Sequence, residues 1–251
     1  MKTTERSAGL LIAGITSVEG PIIRVEDTGI VAYDEFVEII DSKNQTRVGR
    51  VLEVGDNFAV IEVFSGTSGL TTAGTSVRFS GRSLQVPVSR EMLGRIFNGM
   101  GKPIDHGPLP LAHNFADING QPINPTARHY PRDYIQTGIS TIDAMNTLVM
   151  GQKVPIFSGS GIPHDLLASQ IVRQARIGSQ AGTNKERDEN FAIVFAGMGI
   201  KHDVAESFRN AFTESGALNR VAMFLNLADD PVVERLVTPK IALTLAEYLA
   251  F

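Results

Sequence analysis

Between residues 9 and 79 the apolar positions fall into short runs rich in β-branched residues. The runs are Leu10 to Ile15, Ile22 to Val25, Phe36 to Ile40, Val48 to Val54, Phe58 to Phe64 and Ser76 to Phe79. Turn residues separate them, among them Glu19-Gly20-Pro21, Asp27-Thr28-Gly29, Gly55-Asp56-Asn57 and Gly66-Thr67-Ser68-Gly69. About six short strands at this spacing predict a small closed β-barrel over residues 1–79. The alternation is imperfect from Asn57 to Phe64, as expected of a strand partly covered on both faces.

The pattern loosens over residues 80–135, where glycine and proline recur without strong periodicity. A stretch of this kind reads as a connector wrapping onto the domain that follows. From residue 136 to 251 buried apolar runs alternate with helical spacing, which predicts an α/β domain with a parallel sheet wound in βαβ units. Phe191 to Ala196 and Val221 to Leu227 are continuous apolar runs of the buried-strand type. Between them, Asp203-Val-Ala-Glu206 resembles a capping box, Val204, Phe208, Ala211 and Phe212 mark one helix face, and Gly216 is a stop signal. Asp230-Pro231 and Thr238-Pro239 each read as an N-cap followed by proline at the first helical position. The tract Thr183 to Asn190 is a polar surface loop with no assigned role. The chain ends at Phe251 in a helix striped by Ile241, Leu245 and Leu249, without a glycine stop or polar tail. A nucleotide-binding sheet normally continues with a strand bearing a magnesium-binding aspartate. The expectation is therefore a central domain incomplete at its C-terminus.

The stretch that gives this domain its character is 154–177. Val154 to Phe157 reads as a short buried strand, Ser158 to Gly161 as a small-residue turn, and the residues from about Pro163 as a helix. Strand, turn and helix are the frame of a phosphate-binding loop. In register with that motif's first glycine, second glycine, lysine and hydroxyl residue stand Ser158, Pro163, His164 and Asp165. Pro163 has a fixed φ and no N–H. His164 is shorter than lysine and lacks its ammonium group. Asp165 repels phosphate. Losing one preorganised charge stabiliser costs about two to three orders of magnitude in rate, and here several are altered together. On the residues alone two readings stay open. One is a plain strand–turn–helix, with Pro163 opening the helix and Asp165 facing its positive end. The other is a weak nucleotide or anion site at a helix N-terminus, formed by Ser158, Gly159, Ser160, Gly161, Pro163, His164 and Asp165. No catalytic residue is assigned.

Composition narrows the classes. Of 251 residues, 43% are hydrophobic and 20% charged, as in ordinary globular proteins. The absence of cysteine excludes disulfides, thiolate metal sites and cysteine nucleophiles. The five histidines show no metal-binding spacing, so no metal site is expected. A net charge of −4 speaks against nucleic acid as the main partner. No apolar run reaches membrane-span length, and the N-terminus lacks the apolar core of a signal peptide. A cytoplasmic location is expected.

Several segments together resemble the B-subunit family of V-type and archaeal-type rotary ATPases. They are L-G-R-I-F-N-G-M-G-K-P (93–103), D-I-N-G-Q-P-I-N-P (117–125), I-Q-T-G-I-S-T-I-D (135–143), G-Q-K-V-P-I-F-S-G-S-G-I-P-H (151–164), F-A-I-V-F-A-G-M-G-I (191–200) and the run from Phe224 to Phe251. They span nearly the whole chain, and the loop S-G-S-G-I-P-H is itself similar to the form found in that family. The resemblance implies a β-barrel, a P-loop NTPase-like α/β domain, and a C-terminal helical domain that this chain lacks. It also implies an alternating A3B3 ring with catalytic A subunits, contacts to central and peripheral stalk subunits, and a place peripheral to the membrane. ATP or ADP would be held weakly at the A/B interfaces. Catalytic members of the superfamily carry G-E-R after an apolar strand, where the glutamate orders the attacking water; here Gly199, Ile200 and Lys201 stand in those places. An isoleucine accepts no proton, and loss of a general base costs roughly 10²–10⁴-fold. The resemblance places the family's interface arginine past Phe251, so Arg173 and Arg235 are read as solvated helix residues. The function expected is a non-catalytic regulatory subunit that helps couple ATP synthesis or hydrolysis to proton or sodium transport. Two alternatives remain: an active ATPase of the same superfamily, and a hexameric RNA-dependent motor.

Overall fold

The computed structural model of the chain describes residues 9–111, 114–122, 124–127, 130, 133–177 and 191–251. The polar tract 183–190 lies outside the described residues. Strands β1 (Leu10–Ala13), β2 (Ser17–Glu19), β3 (Ile22–Glu26), β4 (Glu35–Ile40), β5 (Thr46–Val54), β6 (Phe58–Val63) and β7 (Ser76–Ser83) form one antiparallel sheet. Its order is β1-β7-β4-β5-β6-β3-β2. The strand expected from Leu10 to Ile15 is broken at Gly14, whose φ of 91° lies in the left-handed region open to glycine. Its first half pairs with β7, and the chain beyond the break pairs with β3. The bent N-terminal strand thus closes the barrel. Inside lie Ile23, Val25, Val37, Ile39, Ala59, Ile61, Val77 and Phe79. In β6 Ala59, Ile61 and Val63 point inward while Phe58, Val60 and Glu62 are half-buried outside. The next residue, Phe64, enters a second core.

The connector is more ordered than its sequence suggests. Strands β8 (Gln85–Val88) and β10 (Asn114–Asp117) pair antiparallel, and β9 (Ile96–Asn98) pairs in parallel with a strand of the α/β domain. Arg95, just before β9, grips Asp105 beyond it through two guanidinium hydrogen bonds, one of 2.8 Å, and Asp105 also accepts from the Gly107 N–H.

The α/β domain contains β11 (Tyr134–Gln136), α1 (Ser140–Met145), β12 (Leu148–Val149), α2 (His164–Gln174) and β13 (Arg176–Ile177). It continues through β14 (Ile193–Ile200), α3 (His202–Glu214), β15 (Val221–Leu227) and α4 (Val232–Ala250). The main sheet runs β14-β15-β9, all parallel. On one face Phe208 and Phe212 of α3 pack with Val172 of α2 against Val221 and Met223. On the other, Val233, Val237, Ile241 and Leu245 of α4 pack against Phe224 and Phe97, whose rings stack 5.2 Å apart. Asn119 ties the three parts together: it donates to Asp34 in the barrel at 2.7 Å and accepts from Lys240 of α4 at 3.0 Å.

Three expectations are corrected. Val154 to Phe157 forms no strand, and Ile156 and Phe157 are 49% and 92% exposed. An apolar run becomes a strand only where a neighbour pairs its backbone and covers its faces, and among the described residues none does so. Thr238-Pro239 starts no helix; Pro239 lies inside α4. The cost of an interior proline, about 3 kcal/mol, is offset by burial of Val233, Val237, Ile241 and Leu245 along the helix. The Thr238 hydroxyl meanwhile donates to the Glu234 carbonyl at 2.9 Å. Finally, α3 begins at His202, one residue before Asp203, and its cap residue Lys201 makes no side-chain capping bond. The Asp203 carboxylate accepts from the Val204 N–H instead, so no capping box forms.

Candidate functional site

The loop before α2 is built from small residues that reach solvent: Ser158, Gly159, Ser160, Gly161, Pro163 and His164 are all exposed, and Asp165 is half-buried. A tight turn occupies 160–162, with Gly161 at φ 84°. Pro163 caps α2 but supplies neither an N–H nor a side-chain bond. The first helical N–H, that of His164, is spent within the loop, donating to the Ile162 carbonyl at 2.8 Å. The imidazole Nδ1 lies 3.0 Å from the same oxygen, and Nε2 lies 3.5 Å from the Asp165 carboxylate. The first turn of the helix thus carries an acid of its own, Asp165, at its positive end.

A bound phosphate needs several N–H groups converging on one point and a cation beside them. Here proline removes one N–H, another is turned inward, and a carboxylate stands where a hydroxyl would hold magnesium. The amides of Gly159 and Gly161 and the hydroxyls of Ser158 and Ser160 remain as exposed donors. The residues fit a magnesium-bound triphosphate poorly.

The far end of α2 is fixed against a second loop. Thr137 donates its N–H and hydroxyl to Asp143 Oδ1 at 2.8 and 2.7 Å, and the Gly138 N–H donates to Oδ2 at 3.0 Å. Burial pushes the Asp143 carboxyl up, but these bonds outweigh it and leave it below the usual range. Gly138 sits at φ 75° against the side chain of Gln174, where a β-carbon would collide. These contacts tie Thr137 and Gly138 to Asp143 within I-Q-T-G-I-S-T-I-D.

The second predicted position, Ile200, closes β14. Its Cδ1 folds back to within 2.7 Å of where a β-carbon on Gly197 would stand, and it packs with the α3 core. No hydrogen bond among the described residues joins this strand end to loop 158–165. What sequence reasoning missed is the arrangement beside it. Asn226 on β15 is fully buried, and its Oδ1 accepts from the Gly199 N–H at 3.2 Å and from Arg235 Nε at 3.1 Å. Its Nδ2 has no partner among the described residues. Gly199, at φ 66°, lies under the Arg235 guanidinium at a shift in strand register. Arg235 is thus not the solvated helix residue expected; it is half-buried, whereas Arg173 is exposed as expected. The available signal was the polar residue inside the otherwise apolar run F-L-N-L. His202 Nε2 lies 3.2 Å from Asp229 across the same edge, with both side chains exposed. Ligands of parallel sheets bind at this carboxyl edge, and here it is occupied by an isoleucine and an internally bonded arginine.

Comparison with known proteins agrees with this architecture. The family model for the ATP synthase alpha/beta family, nucleotide-binding domain, matches residues 138–251, and that for the same family's beta-barrel domain matches residues 15–81. A relative from Aeropyrum pernix, named as the B subunit of an A-type ATP synthase, is 54% identical over 94% of this chain and 50% of its own length. One of the same name from Nitrosopumilus maritimus is 52% identical over 97% of the chain and 51% of its own length. One from Methanopyrus kandleri is 54% identical over the whole chain and 25% of its own length. The chain spans about half the length of the Aeropyrum and Nitrosopumilus relatives and a quarter of the Methanopyrus one. The barrel, the nucleotide-binding-type domain and these relatives lead to one conclusion: the chain belongs to the ATP synthase alpha/beta family, and its relatives are the B subunits of A-type ATP synthases.

Proposed function

We propose that the chain is the non-catalytic member of a rotary ATPase ring. It alternates with catalytic A subunits in an A3B3 arrangement and contributes one wall of each interfacial nucleotide site. The ring couples ATP synthesis or hydrolysis to proton or sodium transport, with this chain peripheral to the membrane and in contact with the stalks. No helix among the described residues is long and apolar enough to cross a membrane.

The observation that carries the reading is the start of α2. Pro163 lacks an N–H, the His164 N–H donates inward to Ile162, and Asp165 adds negative charge where phosphate would sit. Ile200 removes the water-ordering residue at a second, separate place. ATP or ADP is held weakly through the remaining donors of Ser158 to Gly161, and the chemistry belongs to the partner.

The test is magnesium-dependent ATP hydrolysis, measured for this chain alone and after assembly with catalytic A subunits. The expected result is no turnover alone and turnover on assembly. Appreciable hydrolysis by the chain alone would establish the active-ATPase reading. RNA binding that weakens steeply with salt would establish the RNA-motor reading. Either outcome overturns the proposal.

A further inference from the structure

The connector turn 117–121 is pinned from several sides. Ile118 is buried in the core that includes α4, and its N–H donates to the Leu84 carbonyl at 3.1 Å. The Asp117 carboxylate accepts from the Ser83 hydroxyl and, at 2.9 Å, from the Asn119 N–H. The Gly120 N–H closes the turn onto the Asp117 carbonyl at 3.1 Å, and the Gln121 N–H donates to Glu247 of α4 at 3.3 Å. The Asn119 side chain therefore projects from a fixed backbone.

Its amide bridges two charges. Nδ2 donates to Asp34 Oδ2 of the barrel at 2.7 Å, and Oδ1 accepts from Lys240 Nζ of α4 at 3.0 Å. A carboxylate only accepts and an ammonium only donates, so one orientation of the amide satisfies both. The ion pair of Asp34 is with Arg50, at 3.3 Å, and Arg50 Nε donates in turn to Glu62 at 2.9 Å. Arg50 and Glu62 stand opposite each other on β5 and β6. A continuous path thus runs from the barrel wall through Asp34 and Asn119 to Lys240 on α4.

The two charges polarise the amide in the same sense: the carboxylate faces its positive end and the ammonium its negative end. Each bond is charge-assisted, and each strengthens the other. We propose that Asn119 is a coupling joint between the barrel and α4. Loosening its bond to Lys240 weakens its bond to Asp34, and the reverse, so a displacement of α4 is passed to β5 and β6. Direct attraction between Asp34 and Lys240 would also couple the two domains, but it would not need the amide, and solvent and salt screen charges at this exposed site.

The test is a double-mutant cycle between the two charges, run with and without the joint. Asp34→Gly removes the barrel partner at a φ of 61°, which glycine adopts freely. Lys240→Met removes the ammonium and keeps an apolar stem. Stability is read by urea unfolding. In the native background the double variant is expected to lose less than the sum of the single losses, by about threefold in the folding equilibrium. In Asn119→Ala the two losses should add. Amide hydrogen exchange gives a second reading. The Asp34 N–H donates to the Val51 carbonyl at 2.9 Å; Lys240→Met is expected to speed its exchange in the native background and not in Asn119→Ala. Additive losses in the native background, a coupling that survives Asn119→Ala, or a Lys240→Met effect confined to the α/β domain overturns the joint. Should Asp34→Gly fail to fold, exchange in Lys240→Met decides the matter.

Discussion

Replacing Asn226 with alanine removes a fully buried acceptor that serves two donors, the Gly199 N–H and the Arg235 guanidinium. The loss has two parts: about 1 kcal/mol for the neutral bond, and about 1.5–3 kcal/mol for the one from a charged donor. A gain works the other way. The Asn226 Nδ2 is buried without a partner among the described residues, and deleting such a group recovers about 1–3 kcal/mol. The balance predicts a net loss of about 1–2 kcal/mol, which in a chain of this size lowers the melting temperature by roughly 2–8 °C. The chain has no tryptophan, so unfolding is best followed by far-ultraviolet circular dichroism. The single substitution alone does not isolate the bond, because gain and loss overlap. A double-mutant cycle with Arg235→Ala does isolate it. The two residues touch, so a coupling of about 1–2 kcal/mol is expected. Effects that add to within about 0.3–0.5 kcal/mol would show that the Asn226–Arg235 bond does not hold the strand end, and the argument for an internally occupied sheet edge would fall.

Two further outcomes follow from single contacts. Asp105 is held well below the usual carboxylate range, chiefly by Arg95, with burial opposing and the Gly107 and Ile96 N–H groups assisting. Its folded pKa is depressed, so its stabilisation is present above the unfolded-state pKa and is lost as pH falls through the folded value; Asp105→Asn should flatten the acid limb of a melting-temperature profile, and an unchanged limb would contradict this. Gly99→Ala should destabilise by about 1–3 kcal/mol, because the new methyl meets the fully buried Thr238 hydroxyl and lies 3.0 Å from Glu234 Cγ; a melting temperature within error of the native value would show that the turn stands off the helix.

The barrel was legible because each strand has one face in a core and the other facing outward, so period-two burial is written directly into residues such as Val37, Ile39, Ile61 and Val63. The faces of α3 were legible for the same reason at helical spacing. Two stretches behaved differently. Ile96 to Asn98 is too short to show a period and owes its strand state to pairing with β15. Val154 to Phe157 has the composition of a strand, but no neighbour among the described residues pairs with it. Strand formation is decided by partners distant in sequence, and composition cannot supply them. The site divides the same way. Pro163, His164 and Asp165 were singled out as candidates by local spacing, whereas the Gly199–Asn226–Arg235 arrangement joins three elements and announces itself only by a polar residue in an apolar run.

On the proposed reading the two altered positions would depart from phosphate chemistry for different physical reasons, and the difference bears on what each could recover. Ile200 is a change of side chain on a strand whose backbone is already set by pairing with β15. The loop before α2 is a change of backbone. A lysine at 164 would restore a positive charge, but the residue's N–H would still donate to the Ile162 carbonyl, and Pro163 would still have none to give. Anion binding at a helix start depends on N–H groups that converge with no competing acceptor. Charge alone, on a mobile side chain and beside Asp165, does not replace that arrangement. On the reading proposed above, the loop's unsuitability for phosphate transfer would lie in proline and hydrogen-bond direction before the missing cation, with Pro163 as its primary determinant.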